Sequence, residues 1–176
     1  YVCDQEEAPD GGIFIDPGVL VDDDGRVYLY GGFLKSYVCE LEDDMRTVKK
    51  GSVIRDIIPD TEPFNFFEAC SPRKINGKYY LIYSNQVCSQ LAYAVSDSPT
   101  GPFEYKGVII DSGLNYPGGN NHGSLIEANG EWFIFYHRMT NGTITSRRGC
   151  VERIEIKDGV VPEIEATSLG FEKAVR

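Results

Sequence analysis

No run of eighteen apolar residues occurs in the chain, so no segment is expected to cross a bilayer as a helix. Basic residues are scarce: 17 lysines and arginines stand against 27 aspartates and glutamates, a formal net charge of −10. That charge repels a phosphate backbone or an anionic lipid surface, so neither nucleic acid nor membrane is an expected partner, and a neutral ligand is favoured. The five cysteines, Cys3, Cys39, Cys70, Cys88 and Cys150, are widely spaced with no Cys-x-x-Cys pair. That pattern excludes the usual zinc motifs and a full disulfide framework, leaving thiols as the expectation. Residues 1–7 contain neither the basic nor the apolar region of a secretory leader. Thiols and leaderless start together lead us to expect a soluble protein that is cytoplasmic rather than secreted. The first residue is Tyr1 rather than Met, which fits a trimmed piece of a longer reading frame.

Helical periodicity is also nearly missing; what replaces it is a repeat of strand, tight turn, strand. Segments 18–22 and 26–31 flank Asp24-Gly25, segments 71–75 and 78–84 flank Asn76-Gly77, and segments 123–127 and 131–137 flank Asn129-Gly130. A fourth pair, 151–157 and 160–165, flanks Asp158-Gly159. Asn-Gly and Asp-Gly accept the positive φ angles of a type I′ turn, so four hairpins are expected. The first three share an aromatic second strand: Val27-Tyr28-Leu29-Tyr30, Tyr79-Tyr80-Leu81-Ile82-Tyr83 and Trp132-Phe133-Ile134-Phe135-Tyr136. Their turn glycines, Gly25, Gly77 and Gly130, fall 52 and 53 residues apart. A period near fifty with several strands per repeat predicts an all-β fold of propeller blades, here one partial domain over 1–176 with units at about 13–62, 63–112 and 113–176. Closed propellers have about 4–8 blades, so three units are expected to be completed by preceding chain or by a second copy, unless they form a less regular β-domain.

The innermost strand of a blade faces the central channel, so polar residues at its start can meet there. Asp16, Glu68 and His122 hold that place in the three repeats, nine, nine and eight residues before the turn glycine. Two carboxyl groups in one pocket suit hydrolysis of a glycosidic bond, in which one must donate a proton to the leaving oxygen. Glu68 follows Phe64, Phe66 and Phe67, apolar surroundings that suit the donor, while Asp16, within Ile15-Asp16-Pro17, stands at a rigid strand start from which it can tune and orient that acid. The stripe Tyr79, Tyr80, Tyr83 alternates as strand residues do and is expected to pack between blades.

These residues resemble glycoside hydrolase family 43. The resemblance rests on Ile15-Asp16-Pro17-Gly18-Val19, Tyr28-Leu29-Tyr30, Phe66-Phe67-Glu68-Ala69, Asn76-Gly77-Lys78-Tyr79-Tyr80, Asn120-Asn121-His122-Gly123-Ser124, Tyr136-His137-Arg138 and Arg147-Arg148-Gly149-Cys150-Val151-Glu152, and spans roughly residues 13–165. It implies a five-bladed propeller that hydrolyses xylosides and arabinosides of plant cell-wall polysaccharides with inversion, with Glu68 as general acid and Asp16 as the tuning aspartate. The family's base lies upstream of the Ile-Asp-Pro motif. Only fifteen residues precede Asp16, and Asp4 and Asp10 lack the surrounding pattern, so no base is assigned and the isolated chain is expected to be inactive or nearly so.

By the same resemblance, His122 is the candidate contact for a structural calcium in the channel, although calcium prefers several oxygen ligands; the chemistry itself requires no cofactor. Phe67, His122 and Arg147 are the expected contacts to a pentose-containing oligo- or polysaccharide, Arg147 being preferred over Arg148. His137, at a strand end, is expected to be structural. The rival reading is a non-catalytic carbohydrate-binding or assembly module derived from a propeller.

Overall fold

The computed structural model describes residues 13–112, residues 120–167 apart from 140, 142 and 144, and residue 169. Its described residues contain strands and no helix. The first sheet orders β1 (Gly18–Val21), β2 (Val27–Gly31), β3 (Tyr37–Leu41) and β4 (Ile54–Arg55) as an antiparallel meander. The second does the same with β5 (Phe66–Ile75), β6 (Lys78–Asn85), β7 (Gln90–Ser96) and β8 (Glu104–Asp111). The third pairs β9 (Ser124–Ala128), β10 (Glu131–Met139) and β11 (Arg147–Ile154). A short β12 (Ile164–Glu165) runs parallel to β8 at the outer edge of the second sheet.

The turns are where sequence chemistry acts most locally. Asn76-Gly77 and Asn129-Gly130 take φ of 49° and 77°, and of 54° and 78°, the doubly positive geometry that closes a two-residue hairpin. Asp24-Gly25 differs, because only Gly25 is positive, at 86°. The loop there is wider, closed by the Gly25 amide donating to the Asp22 carbonyl at 2.9 Å and the Asp22 amide donating to Arg26 at 2.8 Å. The expected fourth hairpin is corrected: Asp158-Gly159 does turn, with a single bridge between Lys157 and Val160, but its flanks diverge. The chain before it, β11, pairs with β10, and the chain after it supplies β12 to the second sheet. Two tyrosines of the second sheet explain the divergence: the Tyr80 hydroxyl donates to the Gly159 carbonyl at 2.7 Å, and the Val161 amide donates to the Tyr93 hydroxyl at 3.2 Å.

Strand alternation sends successive side chains to opposite faces, and the middle sheet uses both. Tyr79, Leu81 and Tyr83 face the first sheet, where they bury Leu20, Tyr28, Tyr30 and Val38. Tyr80 and Ile82 face the third, packing with Leu125, Ile134, Tyr136 and Ile154. The tyrosine stripe therefore packs between sheets, and each fully buried apolar side chain contributes about 1.5–3 kcal/mol. Two glycines permit the close approach. A Cβ on Gly18 would lie 2.3 Å from the Cys70 carbonyl oxygen, and one on Gly123 would lie 2.3 Å from Leu91 Cδ1 and 2.6 Å from the Phe135 carbonyl oxygen. Cys39, Cys70, Cys88 and Cys150 are thiols, while Cys3 lies outside the described residues.

Candidate functional site

Each sheet delivers one of the three expected residues just before or within its first strand. Asp16 sits two residues before β1 with φ of 50°, a left-handed conformation that Asp tolerates better than most residues. The chain there is fastened by the Gly32 amide donating to the Ile15 carbonyl at 3.0 Å. Glu68 lies in β5 where the ladder is irregular: Phe66 faces Asn85, Glu68 faces Ser84 and Ser71 faces Ile82, so one extra residue is inserted on either side of Glu68. Paired bulges of this kind re-aim a side chain, and Ala69, with φ of 65°, marks the second. The Phe67 carbonyl, turned out of the ladder, accepts the Leu34 amide at 2.8 Å. His122 precedes β9, and its neighbour Asn121 is fully buried, donating its amide to the Cys88 carbonyl at 2.7 Å and its side-chain NH₂ to the Ser89 carbonyl at 3.3 Å.

The three side chains meet. One ligand atom from each of Asp16, Glu68 and His122 lies within 4.8 Å of the other two. His122 Nε2 stands 3.0 Å from Glu68 Oε1 and 3.8 Å from Asp16 Oδ2. The Glu68 side chain is 11% exposed, whereas those of Asp16 and His122 are about one third exposed, so the glutamate is the most deeply buried of the three.

Around this trio the structure adds residues to which the sequence reading gave no role or a different one. Asn120 directs its side-chain NH₂ at Glu68 Oε1 and places it 2.8 Å from His122 Nε2, while its Oδ1 accepts from Arg147 Nη2 at 3.5 Å. The Asn-Asn-His triplet was the available signal, but nothing in it distinguishes Asn120, which reaches the site, from Asn121, which is buried in the scaffold. Arg147, on β11, thus joins the cluster through Asn120; Arg148, one residue on, alternates to the opposite face. His137 is not confined to the scaffold: its ring centroid is 5.9 Å from that of His122, and it hydrogen-bonds the backbone of Asn120. Burial, with the charge of Arg147 and proximity to His122 adding to it, pushes the His137 pKa down to about 4, so the imidazole is neutral near pH 7. Phe67 is half-buried next to Glu68 and meets Phe33 edge to face at 5.1 Å, making an aromatic wall. Phe66 instead turns into the core and is fully buried.

The spacing limits the chemistry. An inverting acid–base pair needs its carboxyl groups about 6.5–9.5 Å apart to admit a water, and a retaining pair needs the sugar carbon between them. Asp16 and Glu68 are closer than the first range, and His122 Nε2 lies within 3.8 Å of a carboxyl oxygen of each. Asp16 and Glu68 are therefore too close to be an opposed acid–base pair, and a base for such chemistry would have to be a different group. Asp4 and Asp10 lie outside the described residues. As a metal cage the trio is poor: calcium takes about 6–8 oxygen ligands, whereas the described set is two carboxylates and a ring nitrogen, with that nitrogen in direct contact with Glu68 and an amide donor pointed at the same carboxylate. The described residues do not fit a directly coordinated calcium.

The model of the Glycosyl hydrolases family 43 matches residues 5–161. A xylosidase/arabinosidase from Thermoclostridium stercorarium is 44% identical over 88% of this chain and 38% of its own length. Among solved structures, a β-xylosidase/α-arabinofuranosidase from a compost microbial metagenome, in a calcium-free form with xylotriose, is 29% identical with a TM-score of 0.76, over 86% of this chain and 58% of that one. An α-L-arabinofuranosidase from Clostridium thermocellum is 33% identical with a TM-score of 0.73, over 91% and 55%. The chain spans 29–51% of the length of the curated relatives it matches.

Proposed function

This chain belongs to glycoside hydrolase family 43, a family of five-bladed β-propellers of which about three blades are present here, and from that premise we propose that it forms the acid-bearing part of an inverting glycosidase acting on xylosides or arabinosides. The observation that carries this reading is the meeting of Asp16, Glu68 and His122, from three successive sheets, in one cluster. The units at about 13–62, 63–112 and 113–176 are read as successive blades, with preceding chain or a second copy completing the ring.

Glu68, the most deeply buried of the three, donates its proton to the glycosidic oxygen as the bond to the sugar carbon breaks. A water activated by a base outside the assigned residues adds to the opposite face of that carbon and gives its proton to the base. Asp16, the more exposed carboxylate, tunes and orients the acid. Phe67 offers a ring face to a pentose, and His122 and Arg147 supply polar contacts to its hydroxyls. A calcium bound in the channel would take His122 as at most one contact, with its oxygen ligands coming from elsewhere, and the proposed proton transfer requires no metal.

The test compares aryl xylosides and arabinofuranosides with poor (phenyl) and good (dinitrophenyl) leaving groups, with azide added as an external nucleophile in place of the unassigned base. Glu68→Gln should reduce phenol release about 100-fold or more, because that leaving group needs a proton, while dinitrophenol release is much less affected. Release of phenol that is unchanged in Glu68→Gln contradicts the acid assignment. Sugar binding without any turnover favours the non-catalytic carbohydrate-binding module, a reading supported by the presence of two carboxylates and no assigned base in the described cluster.

A further inference from the structure

Sheet three grips one side chain that reaches across to Glu68 in sheet two. Asn120 is held at its backbone by His137 of β10 and at its side-chain oxygen by Arg147 of β11, 3.5 Å from Nη2. The next residue, Asn121, is tied to the β6–β7 loop through Cys88 and Ser89, which fixes the segment against the second sheet. Because an arginine only donates, its contact identifies the Asn120 atom facing it as the oxygen, and therefore the atom facing the site as the NH₂. That NH₂ lies against Glu68 Oε1 and 2.8 Å from His122 Nε2; Nε2 also stands 3.0 Å from Glu68 Oε1, and in the tautomer with the hydrogen on Nε2 both Asn120 and His122 donate to that oxygen. Among the described residues, the hydrogen-bond contacts to the Glu68 carboxyl, from Asn120 and His122, both fall on Oε1.

A carboxyl oxygen that accepts an N–H behaves as the carbonyl oxygen of the protonated acid, because a carbonyl oxygen is the better acceptor. We propose that Asn120 is a positioning residue for the acid: its amide, oriented by Arg147, occupies Glu68 Oε1, so that the proton resides on Oε2 and is delivered from there to the leaving oxygen. This rests on Glu68 being the acid. It also makes Arg147 act twice, once on the sugar and once through Asn120, so that loss of the guanidinium disturbs proton delivery as well as binding. Asn120 exchanges no proton with substrate; it determines which oxygen of the acid carries one and holds the carboxyl at a fixed angle, which aligned proton transfer requires.

The experiment measures kcat and KM for Asn120→Ala and the isosteric Asn120→Asp on phenyl and dinitrophenyl glycosides, with azide present and Glu68→Gln run in parallel. Removal of the donor should lower kcat on the phenyl substrate about 10-fold to 100-fold, leave KM nearly unchanged, and lower dinitrophenyl release by less than about threefold. A purely structural role would depress both substrates equally, and that result overturns the proposal. So does a full rate on the phenyl substrate when Glu68→Gln shows the expected loss. If Glu68→Gln is itself fully active on the phenyl substrate, the acid reading fails, and this inference with it. Thermal melting establishes whether each variant folds; if neither does, Asn120 is a scaffold residue and the assignment is wrong.

Discussion

The two faces of the middle sheet are equally dry, yet they are closed at the rim by different cations. Arg73 and Lys74 are neighbours on β5 and, as strand residues must, they point to opposite sides. Lys74 reaches the first sheet and pairs with the buried carboxylate of Asp22, to which the Tyr79 hydroxyl also donates at 2.6 Å. Arg73 reaches the third sheet, where its guanidinium meets the Leu125 carbonyl and the Ser124 hydroxyl. Burial opposes ionisation of Asp22, but the hydrogen bonds from Lys74, Tyr79 and the Asp23 amide outweigh it and hold its carboxyl below the usual range. The first junction therefore depends on a group that titrates, and the second depends on acceptors that do not. Since the proposed site draws Asp16 from the first sheet and His122 from the third, the two junctions hold two members of one cluster by different physical means.

The largest effects should show where the junctions are alike. Tyr83→Ala on the first face should cost about 3–5 kcal/mol, and Ile82→Ala on the second about 2–5 kcal/mol, in chemical denaturation, because both side chains are fully buried. A cost below about 1 kcal/mol for either would mean that its face is not a core. The rim substitutions should then separate the junctions. Asp22→Asn should cost about 1–3 kcal/mol near pH 7, leaving Lys74 poorly compensated. Because the folded pKa of Asp22 is depressed, its stabilisation is fully present above its unfolded value of about 3.9 and is lost as pH falls through the lower folded value; the gap between variant and parent should narrow over that acid range. Arg73→Lys, which loses the fork but keeps a cation, should cost only about 1 kcal/mol and should do so independently of pH across the same range. A pH-dependent cost at Arg73, or a flat one at Asp22, would erase the distinction.

Much of this architecture could be read from local chemistry. The Asn-Gly turns were legible because a two-residue hairpin has few solutions and those residues satisfy them, and the shared register of Asp16, Glu68 and His122 was legible because it repeats with the turns. Asp24-Gly25 and Asp158-Gly159 use the same chemistry with different outcomes. The first sits in a wider loop, and the flanks of the second are drawn away by Tyr80 and Tyr93, partners nearly seventy or eighty residues distant in sequence. Asn120 and His137 were not legible as site residues for a related reason. What places Asn120 beside Glu68 and His137 beside His122 is the packing of the third sheet on the second, with a bulge at Glu68, neither of which leaves a periodic trace in the sequence.

The account stands on three successive sheets presenting one acid and its neighbours to a single sugar. A crystal structure of the Glu68→Gln chain with xylotriose measures this directly. It should show a pentose beside Phe67 with a glycosidic oxygen within hydrogen-bond distance of residue 68, and Asp16 and His122 on the same cavity wall. A sugar bound elsewhere, with Asp16 and residue 68 lining no common hollow, would contradict it.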